Sequence, residues 1–293
     1  MNPRSQHAFS SRTCSLLTFG AALLLATPVY AHHLEKHFAV DGRPIITIHS
    51  SYGRISVKSW KKSEVWVVGD HSSPKVEVDT EQAGNRIEVT THRLADNIKP
   101  ADLEATYQIT VPEESELQVR TDSGLVIVER VYGDMGFDTL AADIQLEEVG
   151  GHLTVNTASG SVTCRKCVGQ IDATTISGNV QFLQPAMEHV RVTSTSGNIL
   201  FDGDFLRRGI YTLHNGSGVI EVRFSDTDSF DLKATSLHGQ VFNDAQLKPD
   251  PHGSHIYTPP KQGTSTFIGT FNDGHAKVDL ASFNGTIRIR KRD

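Results

Sequence analysis

Cysteine, methionine and tryptophan are scarce in this chain: three Cys, three Met and two Trp among 293 residues. Two of the cysteines fall in one run, Cys164-Arg165-Lys166-Cys167, so no second Cys pair exists to complete a four-thiolate zinc site. A basic excess is also missing. Lys and Arg number 28 against 34 acids, a formal charge of -6, which leaves no basic stripe to neutralise phosphates and excludes nucleic acid as the expected partner. Beyond the first 31 residues no apolar run approaches the roughly 20 residues that a membrane-spanning helix needs. Helical periodicity is nearly absent, with residues 101–105 alone hinting at a turn. No residue set has the spacing of catalytic machinery, so no catalytic residue, cofactor or metal ligand is assigned.

What is present begins with a leader. Arg4 and Arg12 give a positive start, residues 16–26 are apolar, and Val29-Tyr30-Ala31 supplies a cleavage signature, so residues 1–31 are expected to be a signal peptide. Cys14 precedes the apolar run and is not placed as a lipid acceptor. Cleavage would remove two arginines and no acid, leaving 26 basic against 34 acidic residues, or -8. The mature chain is expected to be exported, most simply to a periplasm, with secreted or surface-associated placement as the alternatives and no transmembrane segment.

The main feature is a twelve-residue phrase, h-x-h-x-x-x-x-G-x-h-x-h with h apolar, clearest from Leu153 to Cys164. Its key position falls at Gly124, Ala142, Gly160, Gly178, Gly197, Gly218 and Gly239, at spacings of 18, 18, 18, 19, 21 and 21, with outlying copies at Gly53 and Gly285. Residues seven and five before the key position are mostly apolar, as are those two and four after it: Ile171 and Ala173, then Val180 and Phe182. Period-two alternation puts each pair on one side of a strand. A sharp corner at the glycine is expected to use φ > 0, with neighbouring Ser, Thr and Asn satisfying freed backbone groups. A near-constant period of two-strand phrases points to stacked coils rather than to a hairpin sandwich.

The expected fold is therefore all-β: a parallel β-helix-like solenoid of Ser-Gly repeats over 116–293. An antiparallel N-terminal β region, 32–115, precedes it. That region already carries one phrase over 45–57, a hairpin signal at Ala83-Gly84-Asn85 and a strand over 106–112 that stops at proline. A Pro-rich insertion lies near 246–263. Strand patterns at 266–271 and 276–280 flank Asn272-Asp273-Gly274, a hairpin turn expected to close the open end of the solenoid.

The run Tyr107-Gln108-Ile109-Thr110-Val111-Pro112, followed by Leu117 to Gly124 and by Ser159-Gly160, Ser177-Gly178, Ser196-Gly197 and Ser217-Gly218, resembles a bacterial family of β-strand repeat proteins. The family is described as candidate adhesins or as a domain of unknown function, and the resemblance runs from about residue 38 to 290. It implies a repeat β fold at the cell envelope and supplies no catalytic residues.

Cys164 and Cys167 admit three readings: a structural pair joined by a local disulfide, a redox pair, or half a zinc site. Cys164 falls in the same apolar column as Phe182 and Phe201, which favours the structural pair. His32, His33 and His37 could meet a metal near the new N-terminus, and His214 and His238 could be neighbours across coils. Asp226, Asp228 and Asp231 match the start of a calcium loop but lack its glycine and its final glutamate. Asp122, Asp172, Glu221 and Asp279 form no clear column. Asn215 and Asn284 fit a glycosylation pattern that doubles as a tight turn. The expected function is non-enzymatic: an exported envelope protein that binds an envelope protein or glycan or serves a structural role. A carbohydrate-active enzyme on the same scaffold is the alternative, and a periplasmic accessory protein is inseparable from the first.

Overall fold

The computed structural model describes residues 32–95, 99–248 and 265–292. The expected leader over 1–31 and most of the Pro-rich insertion near 246–263 lie outside the described residues. Strands follow the period-two alternation wherever it occurs. The first are β1 (His32–Ala39), β2 (Ile45–Trp60), β3 (Glu64–His71), β4 (Val76–Ala83) and β5 (Arg86–Arg93). A 3-10 turn, Pro100–Leu103, leads into β6 (Glu104–Pro112), which ends on its proline. Next, β7 (Glu116–Glu129) and β8 (Met135–Glu147) each run unbroken through a corner.

Later phrases divide at the corner into two strands. They give β9 (Gly150–Thr157) with β10 (Val162–Arg165), and β11 (Val168–Thr175) with β12 (Val180–Leu183). Three more pairs follow: β13 (Ala186–Ser194) with β14 (Ile199–Asp202), β15 (Ile210–Asn215) with β16 (Val219–Phe224), and β17 (Phe230–Ser236) with β18 (Val241–Asn243). Then come β19 (Thr266–Phe271), β20 (Ala276–Ser282) and β21 (Thr286–Lys291).

The product is a β-solenoid with two parallel faces. The first face runs through the leading halves of β2, β7 and β8, then β9, β11, β13, β15, β20 and β17. The second runs through their trailing halves, then β10, β12, β14, β16, β21 and β18. Inward columns fill the space between. Val119, Phe137, Val155, Ala173, Val192 and Leu213 come from the first face, and Val128, Leu146, Cys164, Phe182, Phe201 and Val222 from the second, all buried. Each large apolar member contributes roughly 1.5–3 kcal/mol.

Three features differ from the sequence reading. The stretch 32–115 is mixed rather than antiparallel. β2 pairs in parallel with β5, β6 and β7, while β4–β5, β3–β6 and β1–β3 are antiparallel. β2 is thus a coil of the stack, with β5 and β6 on one side of it and β7 on the other.

The C-terminal strands do not form a hairpin over the end. β19 and β20 pair with opposite edges of β17, and β20–β21 lies between the coil of Gly218 and the coil of Gly239. The last phrase has the same apolar register as the others, so it fits inside the stack as well as at its end. Antiparallel β19 covers the end of the first face instead.

The third difference concerns the glycines. φ is positive at Gly53, Gly124 and Gly218, but Gly160, Gly178, Gly197, Gly239 and Gly285 lie outside the left-handed region. Close approach explains these five. A Cβ on Gly160 would sit 1.8 Å from the Ala142 carbonyl oxygen, and one on Gly178 would sit 2.0 Å from that of Gly160. Left-handed residues occur at the other corner, at Arg130, Glu148, Lys166 and Gln184, with φ of 54, 54, 52 and 53°. Each N–H there donates to the next coil, as Lys166 does to the Leu183 carbonyl at 2.9 Å.

Candidate functional site

The period that builds the core also ranks the surface. Four residues before each key position the side chain points outward on the first face. In spatial order this row is His49, Arg120, Asp138, Asn156, Thr174, Thr193 and His214. One residue later the side chains turn inward: Ser50, Thr121, Thr139, Thr157, Thr175, Ser194 and Asn215. From Thr157 on, the hydroxyls of this column take the corner N–H of their own coil. Gly178 N–H donates to Thr175 Oγ1 at 2.9 Å and Gly197 N–H to Ser194 Oγ at 2.7 Å. The Ser50 hydroxyl is buried and has no hydrogen-bond partner.

At the N-terminal end of this row lies an open depression of about 510 Å³. Its charged wall is built from ion pairs: Arg93 with Asp122 at 2.9 Å and Arg120 with Asp138 at 3.5 Å. Asn156 donates to Asp138 at 2.9 Å, and Arg93 donates to Ser51 Oγ at 2.9 Å. Thr91, Thr139 and Thr174 complete the lining, and Leu140, 60% exposed, supplies an apolar side. Guanidinium, carboxylate and amide groups held in fixed planes offer paired donors and acceptors to a polyhydroxylated ligand. Of this set, only Asp122 is among the candidate residues that the sequence singles out. Arg120, Asp138, Asn156 and Thr174 recur every 18 residues, so the row was present as a period without a reason to single it out.

The other candidates are dispersed. Cys164 and Cys167 are both fully buried and joined by a disulfide with Cα atoms 5.8 Å apart. They occupy the places held one coil earlier by Leu146 and Val149, both in the core. His214 lies 3.8 Å from Asp279, whereas His238 packs edge-on against Phe283 at 5.0 Å. The inserted β20–β21 coil separates the two histidines.

Asp226 pairs with Lys291 at 2.6 Å, buried Asp228 accepts the Phe205 N–H at 2.8 Å, and Asp231 accepts the Thr270 hydroxyl at 2.7 Å. Three acids with three separate partners make no calcium loop. Burial pushes the Asp228 carboxyl above the usual carboxylate range, against the backbone N–H groups that pull it down. Asp172 pairs with Arg191 at 3.6 Å and Glu221 with Arg223 at 2.8 Å, on different faces. Asn215 is buried in the corner column, while Asn284 is exposed. His32, His33 and His37 lie on β1. Among the described residues no three His, Cys, Asp or Glu side chains are grouped to hold a metal ion. Among them, too, no helix is long and apolar enough to cross a membrane.

Comparison with known proteins gives one family and several solved structures. The family model described as Toastrack DUF4097 matches residues 45–290. A candidate cell adhesion protein from Clostridium sporogenes is 11% identical, with 90% of this chain and 100% of that one covered and a TM-score of 0.29. A candidate adhesin from Bacteroides fragilis is 12% identical over 88% and 97% of the chains, with a TM-score of 0.47. One from Parabacteroides merdae is 8% identical over 89% and 96%, at 0.36. Likenesses this distant carry no functional argument. No curated protein matches the chain.

Proposed function

Because the chain belongs to the Toastrack DUF4097 family, we propose for it a non-enzymatic binding role at the cell envelope, exercised through the outer row of the first face. The observation that carries this reading is the depression at the N-terminal end of that row, with its Arg120, Asp138, Asn156 and Asp122 side chains. Each acid there is already engaged by a guanidinium or an amide. That arrangement suits directional hydrogen bonding to a sugar better than proton transfer, which needs an acid or base free to exchange its proton. An envelope glycan is the ligand class proposed. Export by cleavage after Ala31, and a periplasmic location, belong to the same proposal and rest on the leader composition.

The test is a pull-down of the tagged mature protein against fractions of its own envelope, followed by binding to the isolated polysaccharides. Capture of glycan, reduced at least tenfold by Arg120→Ala with Asn156→Ala, is the expected result. Binding to no glycan and no envelope fraction overturns the reading. Turnover of a polysaccharide that is lost in Asp138→Asn would put the enzymatic alternative in its place.

A further inference from the structure

The far edge of the second face carries a cluster that the binding role does not use. β1 is the outermost strand there, antiparallel to β3, with His33 opposite Asp70 and His37 opposite Trp66. His33, Glu35 and His37 alternate along β1 and so share one side of it. His33 Nδ1 is 2.7 Å from Asp70 Oδ1, while its Nε2 faces Glu35 Oε2 at 3.9 Å. His37 repeats the arrangement, with Nδ1 2.7 Å from Glu64 Oε1 and Nε2 3.6 Å from Glu35 Oε1. Each ring stands between two carboxylates, one on its own strand and one on β3. A neutral imidazole has a single N–H and serves one of them, whereas the imidazolium donates from both nitrogens.

We propose that β1 is a pH-dependent latch: imidazolium at His33 ties it to β3, with His37 as a second polar tie between Glu64 and Glu35, and loss of the His33 proton loosens the strand and uncovers the β3 edge. Without the His33 proton, Glu35 and Asp70 are left as two carboxylates with no cation between them. The β6 residues in register with Trp66, Val68 and Asp70 are Thr110, Gln108 and Thr106, all uncharged. Lys36 alternates to the other side of β1, and Lys62 sits 4.4 Å over the Trp60 ring. From β4 the contact is the neutral Gln82 amide, which donates to the Ala39 carbonyl at 2.9 Å.

The His33–Asp70 hydrogen bond holds the His33 imidazole above its ordinary value of 6.5. A raised folded-state value means that this stabilisation is complete below 6.5 and disappears as pH rises through the folded value. His32 and His71, the other histidines of this strand pair, stack ring on ring at 4.9 Å and 5°. His71 Nδ1 also lies 3.0 Å from the Ser73 carbonyl. Leu34 and Phe38, partly buried against the core, keep β1 near its place when the charges are lost.

The test is native-state hydrogen exchange of the full chain at pH 6 and pH 8.5, corrected for intrinsic rates. Protection of the β1 and β3 amides is expected to fall by roughly fivefold or more at the higher pH, with β11 and β13 unchanged. His33→Gln with His37→Gln should show the looser state at both pH values. Equal protection of wild-type β3 at both pH values overturns the latch, as does a double variant that keeps the wild-type profile. Should the double variant lose β11 protection as well, Asp70→Asn replaces it. That change keeps an acceptor oxygen but removes the negative charge beside His33, so it must move the wild-type midpoint to lower pH, and an unmoved midpoint counts against the proposal.

Discussion

Backbone packing decides which residues the corners accept. A Cβ at position 178 meets the Gly160 carbonyl oxygen at 2.0 Å, although φ there is not left-handed. Gly178→Ala is expected to cost about 1–3 kcal/mol in a urea titration, as overpacking does. Gly84→Ala is the control: φ is +62° with nothing within 4 Å, so it should cost about 1 kcal/mol from backbone strain alone. A free Gly178→Ala would show that coils do not approach this closely. Tyr107 and Tyr211 are a second residue-level case. Burial pushes both phenols up to about 12, from an ordinary value of 10.0. Between those values the unfolded chain ionises while the folded one stays neutral, so stability is intact below pH 10 and falls as pH rises towards 12. Tyr107→Phe and Tyr211→Phe should each flatten that alkaline loss in denaturation midpoints, and an unchanged slope would contradict burial of the neutral phenols.

Elements here are interchangeable coils, and the disulfide is a local variation on one of them. Cys164 and Cys167 replace the Leu146 and Val149 of the preceding coil and close a loop with a sequence separation of three. Cross-linking so short a loop stabilises by about 2 kcal/mol in the chain-entropy model. Cys164→Leu with Cys167→Val should therefore fold and lose no more than about 2 kcal/mol, since the same side chains already fit one coil earlier. Failure of that variant to fold would show that the bridge does more than fill the core. The corner threonines and serines belong to this scale too. Their recurrence three residues before each glycine was visible in the sequence, but their burial as acceptors of the glycine N–H emerges once the coils stack.

For the whole molecule, the order of coils in space departs from their order in the chain. β20–β21 lies between β15–β16 and β17–β18, so truncation after Phe271 removes an interior layer. Loss of exchange protection across residues 210–243 is expected, with β7 to β12 retained. Protection retained through residue 243 would instead match the terminal cap that the turn at Asn272-Asp273-Gly274 led one to expect.

The sequence by itself determined the coil. Alternating apolar residues and a glycine every 18 to 21 positions admit little else, because the period-two side chains must share one inward face and the corner must repeat. It also marked Cys164 as a core residue. The tertiary structure alone decided which coil lies beside which, and so which outward side chains meet. Arg120, Asp138 and Asn156 are 18 residues apart in the chain and become neighbours through parallel pairing. His33 and His37 meet Asp70 and Glu64 through an antiparallel pairing that β1's own pattern does not encode. Periodicity is a local property of the chain, whereas the partners of a strand's outer edge and outer face are set by hydrogen bonds between segments far apart in sequence.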